Sequence, residues 1–130
     1  MKALDTGVLL ALLEGSGKAR DVIRKLRGVE LATTEVNLVE LGYLAAGSRR
    51  VTASRLGVLE KLRHRLTVLP IDSRGGREAV ALVSGARRPV APSVAAMVGA
   101  LRAAGCEELI TDDGGSLPPE VGLRVRTVSL

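Results

Sequence analysis

The chain has 130 residues, 46% hydrophobic and 25% charged, with a net charge of +5, which describes one domain large enough to build a core without disulfide or metal staples. Tyr43 is the only aromatic residue, so the core must be built from Leu, Val, Ala and Ile, and recognition of single-stranded bases on stacked rings is disfavoured. Cys106 stands alone, which excludes an internal disulfide and suits a reducing cytoplasmic setting. The longest early apolar run, Val8 to Leu13, is too short to span a membrane and follows an acid, unlike a signal peptide.

Residues 2–4 read as a very short first strand running into Asp5, followed by a helix over 6–14 that Gly15-Ser16-Gly17 breaks. A second helix over 18–26 places Ala19, Val22, Ile23 and Leu26 on one face, and a second strand covers 29–33. The next helix, over 34–47, has two readings. Either Asn37 caps it and Glu40 closes a capping box three residues later, or Thr33 or Thr34 starts it and Glu40 stands inside, among Val36, Val39, Tyr43 and Leu44. In the second case the carboxylate needs a partner, and a metal ion is one of the few that suffice.

Arg49-Arg50 leads to a helix over 52–65 with Leu56, Leu59, Leu62 and Leu66 in one stripe, suited to its own core or to a second copy. Its other side carries Arg55, Lys61, Arg63, His64 and Arg65, where a lone histidine reads as surface. A third strand covers 66–71, and Asp72 reads as the N-cap of a helix over about 76–83. After a basic, turn-rich loop over 84–92, Ser93 opens a helix of small residues over 94–104 that can approach its neighbours closely. Residues 108–111 form a fourth strand ending in Asp112-Asp113, and 123–128 a fifth. Strands separated by helical patterns predict a single α/β domain over 1–130, three layers (α/β/α) around a mostly parallel sheet of about five strands.

On that map Asp5 lies at the carboxyl end of strand one, Asp112 and Asp113 at the same end of strand four, and Glu40 in the helix after strand two. These acids converge on one rim of the sheet, the usual ligand-binding edge of such folds. Clustered carboxylates repel and call for hard divalent cations such as Mg²⁺ or Mn²⁺. Oxygen-only donors speak against zinc. The basic residues are fifteen Arg and four Lys; arginine forks match phosphates, although an arginine-rich solvated surface explains the charge equally well.

Three stretches resemble the signatures of the PIN domain family, and the length and layout are similar to those of VapC-type toxin ribonucleases. Leu4-Asp5-Thr6-Gly7-Val8-Leu9 resembles the opening motif, with Gly7 where asparagine is commoner. Thr34 through Glu40-Leu41 resembles the second motif, and Ile110-Thr111-Asp112-Asp113 the last. The resemblance implies Mg²⁺- or Mn²⁺-dependent cleavage of RNA, a homodimer and a small antitoxin partner, beside the cytoplasmic setting and the lack of membrane targeting read above from Cys106 and the short apolar run. It implies Asp5, Glu40 and Asp113 as catalytic metal ligands, Asp112 as a ligand or near neighbour, and Thr6 and Thr111 as hydrogen-bonding support. One departure stands out. The family usually carries another acid at the start of the helix before strand four, and Ser93 occupies that position here. The chain therefore reads as a metal-dependent endoribonuclease, or as a degenerate PIN domain that binds RNA or a protein without cutting. Taken singly, each acid also has a helix-capping explanation in an unrelated α/β domain.

Overall fold

The computed structural model describes the backbone of all 130 residues and every side chain except those of residues 54–56. Five strands, β1 (Lys2–Leu4), β2 (Leu31–Thr34), β3 (Leu66–Leu69), β4 (Glu108–Thr111) and β5 (Arg124–Thr127), form one sheet in the order β3-β2-β1-β4-β5. Every neighbouring pair is parallel, with Lys2 opposite Leu31 on one side and Glu108 on the other. Six helices connect them: α1 (Thr6–Leu13), α2 (Gly17–Lys25), α3 (Glu35–Ala46), α4 (Ala53–Arg63), α5 (Ser73–Gly85) and α6 (Pro92–Ala103).

The chain steps outward from β1 to β2 and β3, then returns to the far side of β1 for β4 and β5. Crossovers between parallel strands share one hand, so reversing the direction moves the helices to the other face. Leu4, Leu31, Leu66 and Ile110 accordingly bury against Leu9, Leu13, Ile23, Leu41 and Leu62 of the first four helices. Ala3, Ala32 and Leu109 bury against Leu82, Met97, Val98 and Leu101 of the last two. The expected three layers result. Along α4, Leu62 is buried and Leu59 packs on the same core, followed by buried Leu66 at the start of β3, so the described part of the leucine stripe serves the chain's own core. Leu56 and Arg55 lie outside the described side chains. His64 is exposed at the end of α4.

Several boundaries shift, each for a local reason. The second strand runs over Leu31–Thr34 rather than 29–33, because Thr34 both ends the strand and caps α3. The fifth helix starts at Ser73, not Gly76: Asp72 does cap it, accepting the Gly75 N–H at 2.8 Å, and the cap overrides the poor helix propensity of Gly75-Gly76. The small-residue helix α6 lies close against α5. A Cβ at Gly99 would run into the Gly75 carbonyl and Ala79, so glycine there permits the close approach.

The amino-terminal edge of the sheet has its own charge cluster. Buried Glu108 pairs with Arg126 at 2.9 Å and Lys2 at 3.7 Å, which ties the edge strand β5 to the centre. Cys106 is buried nearby, and burial pushes its thiol pKa up, toward the inert neutral form. Among the described residues no helix is long and apolar enough to cross a membrane.

Candidate active site

The strand order reverses between β1 and β4, and this switch point opens at the carboxyl ends of both strands. Asp5 follows β1 there, and Thr111 ends β4 beside it. Asp5 is the N-cap of α1: its Oδ1 accepts the Thr6 N–H at 2.7 Å, which also places a negative charge at the positive end of that helix. Its Oδ2 accepts the Thr111 hydroxyl at 2.7 Å, and the Thr111 oxygen in turn accepts the Asp113 N–H at 3.1 Å. One buried hydroxyl thus fixes Asp5 and anchors the backbone of the loop carrying Asp113.

The third support is Asn37. Thr34 caps α3 and Asn37 is the third residue of the helix, so the capping box is Thr34 with Asn37 and leaves Glu40 out of it. The Asn37 Oδ1 accepts the Thr34 hydroxyl at 2.6 Å. Its amide nitrogen is shared among Asp5 Oδ1 at 3.2 Å, the Thr6 hydroxyl at 3.0 Å and Met97 Sδ at 3.2 Å. Asn37 is 1% exposed, and it holds β1, α1, α3 and α6 at one point. The box departs from the usual Ser/Thr-x-x-Glu/Gln signature in having asparagine as its second member, and that the asparagine also reaches Asp5 depends on how elements pack, which no periodicity carries.

Glu40 lies one turn beyond Asn37 and is half-buried. Burial first, and the Asp5 carboxylate second, raise its pKa above the ordinary value for glutamate. The fold therefore brings Asp5 and Glu40 within electrostatic reach of one another. Asp113 is exposed at the turn after β4. Asp112 is exposed too, and its carboxylate lies over Gly7 in the first turn of α1, in the space a side chain at position 7 would need. Ser93 is exposed in the first turn of α6, whose N-cap position is Ala91 with no side-chain capping bond. Among the described residues no three Asp, Glu, His or Cys side chains form a group able to hold a metal ion.

The PIN domain family model matches residues 2–115. No curated protein matches the chain. Among solved structures, a chain of FitAB bound to a DNA fragment superposes with a TM-score of 0.78 at 18% identity, over 98% of this chain and 94% of that one. VapBC-5 of Mycobacterium tuberculosis, a toxin–antitoxin system, is similar at TM-score 0.66 and 27% identity, over 98% of both chains. VapC20 of the same organism, a toxin that cleaves the sarcin–ricin loop, gives 0.66 at 16% identity, over 92% of this chain and all of that one, a coverage of 100%.

Proposed function

The chain belongs to the PIN domain family, and we propose that it is a divalent-metal-dependent endoribonuclease, the toxin of a toxin–antitoxin pair working in the cytoplasm. The observation that carries this reading is the Asp5–Glu40 pair at the switch point. Asp5 is held from three directions, and Glu40 bears an unfavourable charge that Asp5 worsens. Among the described residues no cationic side chain lies within ion-pair distance of Asp5 or Glu40, and two such carboxylates are a liability unless a cation joins them.

The residues fit such an ion. Mg²⁺ retains several waters and is held by one or two carboxylates together with substrate phosphates, without a full protein cage. Asp5 and Glu40 would hold it, with Asp113 and Asp112 close enough in sequence to the Thr111 anchor to join from the loop. When bound, the ion supplies an activated water and charge stabilisation at the phosphodiester. The chain's own contribution is orientation: Thr111 and Asn37 aim the Asp5 oxygens, and α1 directs its positive end at them. The exposed arginines of the 84–92 loop supply phosphate contacts. A homodimer is part of the proposal, supported by the large apolar side chains left on the outside of α3 and α5: Val39, Tyr43, Val80 and Val83.

Ser93 favours a second reading, a PIN domain that binds RNA or protein without cutting, because a hydroxyl is a poorer cation ligand than the carboxylate usual there. Cleavage of a labelled structured RNA with Mn²⁺, with Mg²⁺ and with EDTA, run beside Asp5→Asn, separates the two. Metal-dependent cutting absent from the mutant is the expected result. Equal background in both proteins sinks the catalytic reading, and retained RNA binding by Asp5→Asn would then favour the binding module.

A further inference from the structure

Two loops meet beside the rim of acids and enclose a pocket of about 340 Å³. One joins α5 to α6 and contributes Arg87, Arg88 and Pro89; the other follows β4 and contributes Ser116, Pro118, Pro119 and Glu120. Each is continuous with a residue of the candidate site. The first feeds the helix of Ser93, and Met97, one turn further on, contacts Asn37. The second opens at Asp113, whose carbonyl accepts the Ser116 hydroxyl at 2.9 Å and the Ser116 N–H at 3.3 Å. The chain itself sets the walls in place. Val90 and Leu117 pack on the core, and Glu120 Oε1 accepts the Arg87 N–H at 3.2 Å, which stitches one loop to the other. Among the described residues no carboxylate lies within ion-pair distance of the Arg87 or Arg88 guanidinium, although Glu120 lines the same pocket. Glu120 Oε2 is buried without a hydrogen-bond partner among the described residues. Such an acceptor is rare in a folded chain and calls for a donor that the chain does not supply.

We propose that this pocket receives one guanine base of the RNA substrate, turned out of its stack beside the phosphodiester that the acids handle. The proposal rests on the nuclease reading for the identity of the polymer and on the pocket for the identity of the base. The volume lies at the lower end of small-ligand sites, roughly 300–1,000 Å³, which suits a single base and excludes a helix or a duplex. Tyr43, the chain's one aromatic ring, lies away on α3. A base also stacks on guanidinium planes, and Pro89, Pro118 and Pro119 add flat apolar wall. The polar groups then choose among the bases. Guanine presents the acceptors N7 and O6, the pair that an arginine fork meets, and next to them the donors N1–H and N2–H₂, which a carboxylate accepts. Adenine reverses both signs, with an N6–H₂ donor where guanine has O6 and an acceptor at N1. Cytosine likewise sets a donor and an acceptor where these are needed in the opposite order, and uracil offers one N–H between two carbonyls. A bare phosphate would suit the arginines and be repelled by Glu120, and a metal ion would meet the reverse.

The test is fluorescence anisotropy of the full chain in EDTA, where no metal-dependent cleavage intervenes, with short labelled single-stranded RNAs. One is all adenosine; the others carry a single central guanosine, inosine or 7-deazaguanosine. Inosine lacks only the N2 amino group, and 7-deazaguanosine only the N7 acceptor, so neither probe perturbs the protein. The guanosine RNA binds about tenfold or more tighter than the all-adenosine one, and each analogue loses part of that gain. Glu120→Gln, with far-UV circular dichroism matching the parent, brings the guanosine-to-inosine ratio toward one, because it removes the charge and one of the two acceptor oxygens. Equal binding of all four RNAs overturns the proposal, as does a guanosine preference that Glu120→Gln leaves intact. Guanosine monophosphate that competes as well as the guanosine RNA makes a free nucleotide the ligand and overturns it too. The two readings fail separately: a guanosine preference without any cleavage removes the nuclease and keeps the pocket, and cleavage without the preference removes the pocket alone.

Discussion

Replacing Asn37 with leucine keeps the branched shape and the number of heavy atoms and removes every side-chain polar contact of a residue that is 1% exposed. The Thr34 hydroxyl and N–H lose their shared acceptor, and Asp5 and Thr6 lose a donor. The Thr34 oxygen keeps its bond from the residue-37 N–H, but loss of the returning half of the capping box costs about 1 kcal/mol, and stranding one buried polar partner adds about 1–3 kcal/mol. The sum is roughly 3 kcal/mol, a substantial part of the ~5–15 kcal/mol that holds a domain together. At this chain length that lowers Tm by about 10 °C. Urea unfolding followed by far-UV circular dichroism measures it, with Thr33→Val as the yardstick. Thr33 is equally buried but makes a single bond, to the Leu4 carbonyl at 3.1 Å, so its loss costs about 1 kcal/mol. If Asn37→Leu costs no more than Thr33→Val, the account of Asn37 as the tie among four elements is wrong.

Glu40 gives a pH-dependent test. Its folded pKa is raised, so the folded state binds the proton more tightly than the unfolded one, and its contribution to stability falls as pH climbs from the ordinary glutamate value through the raised one. Glu40→Gln should therefore be more stable than the parent at neutral pH, with the gain vanishing in acid; equal pH profiles for the two proteins would refute the pairing with Asp5. Ser93→Asp restores the missing acid at the uncapped start of α6. It should raise metal-dependent cleavage and add about 0.3–1 kcal/mol through the helix dipole, both read on the purified variant. Gly99→Ala should destabilise by about 2 kcal/mol by overpacking, despite the better helix propensity of alanine, because its Cβ meets the backbone of α5.

Much of this was legible from residue order. The Asp5 turn, the Asp72 cap, the strand over 108–111 and the parallel sheet all rest on local signals: an acid between apolar runs, a short polar residue before a helix, strands spaced by helices. What stayed hidden depends on distance between elements. Glu40 has a capping partner in principle three residues away, and only the Thr34 hydroxyl, seated 2.6 Å from the Asn37 carbonyl, decides against it. Gly7 signals a tolerant helix start, yet its consequence, an Asp112 side chain laid over it, belongs to a residue more than a hundred positions away. The start of α5 at Ser73 rather than near Gly76 has the same origin: the helix propensity of Gly75-Gly76 is local, whereas the close approach of Gly75 to Gly99 is not.

Tyr43 is 82% exposed on α3 and is the chain's one chromophore of its kind, with no tryptophan beside it. Its ring meets solvent in the folded protein much as it does in the unfolded chain, so near-ultraviolet signals will follow unfolding poorly and melting curves must rest on the backbone. The same exposure makes the phenol a selective optical probe. A change in its emission or absorption on mixing would report the covering of α3 itself, by a second copy or another protein, with no label introduced and no other phenol or indole in this chain to confuse the reading.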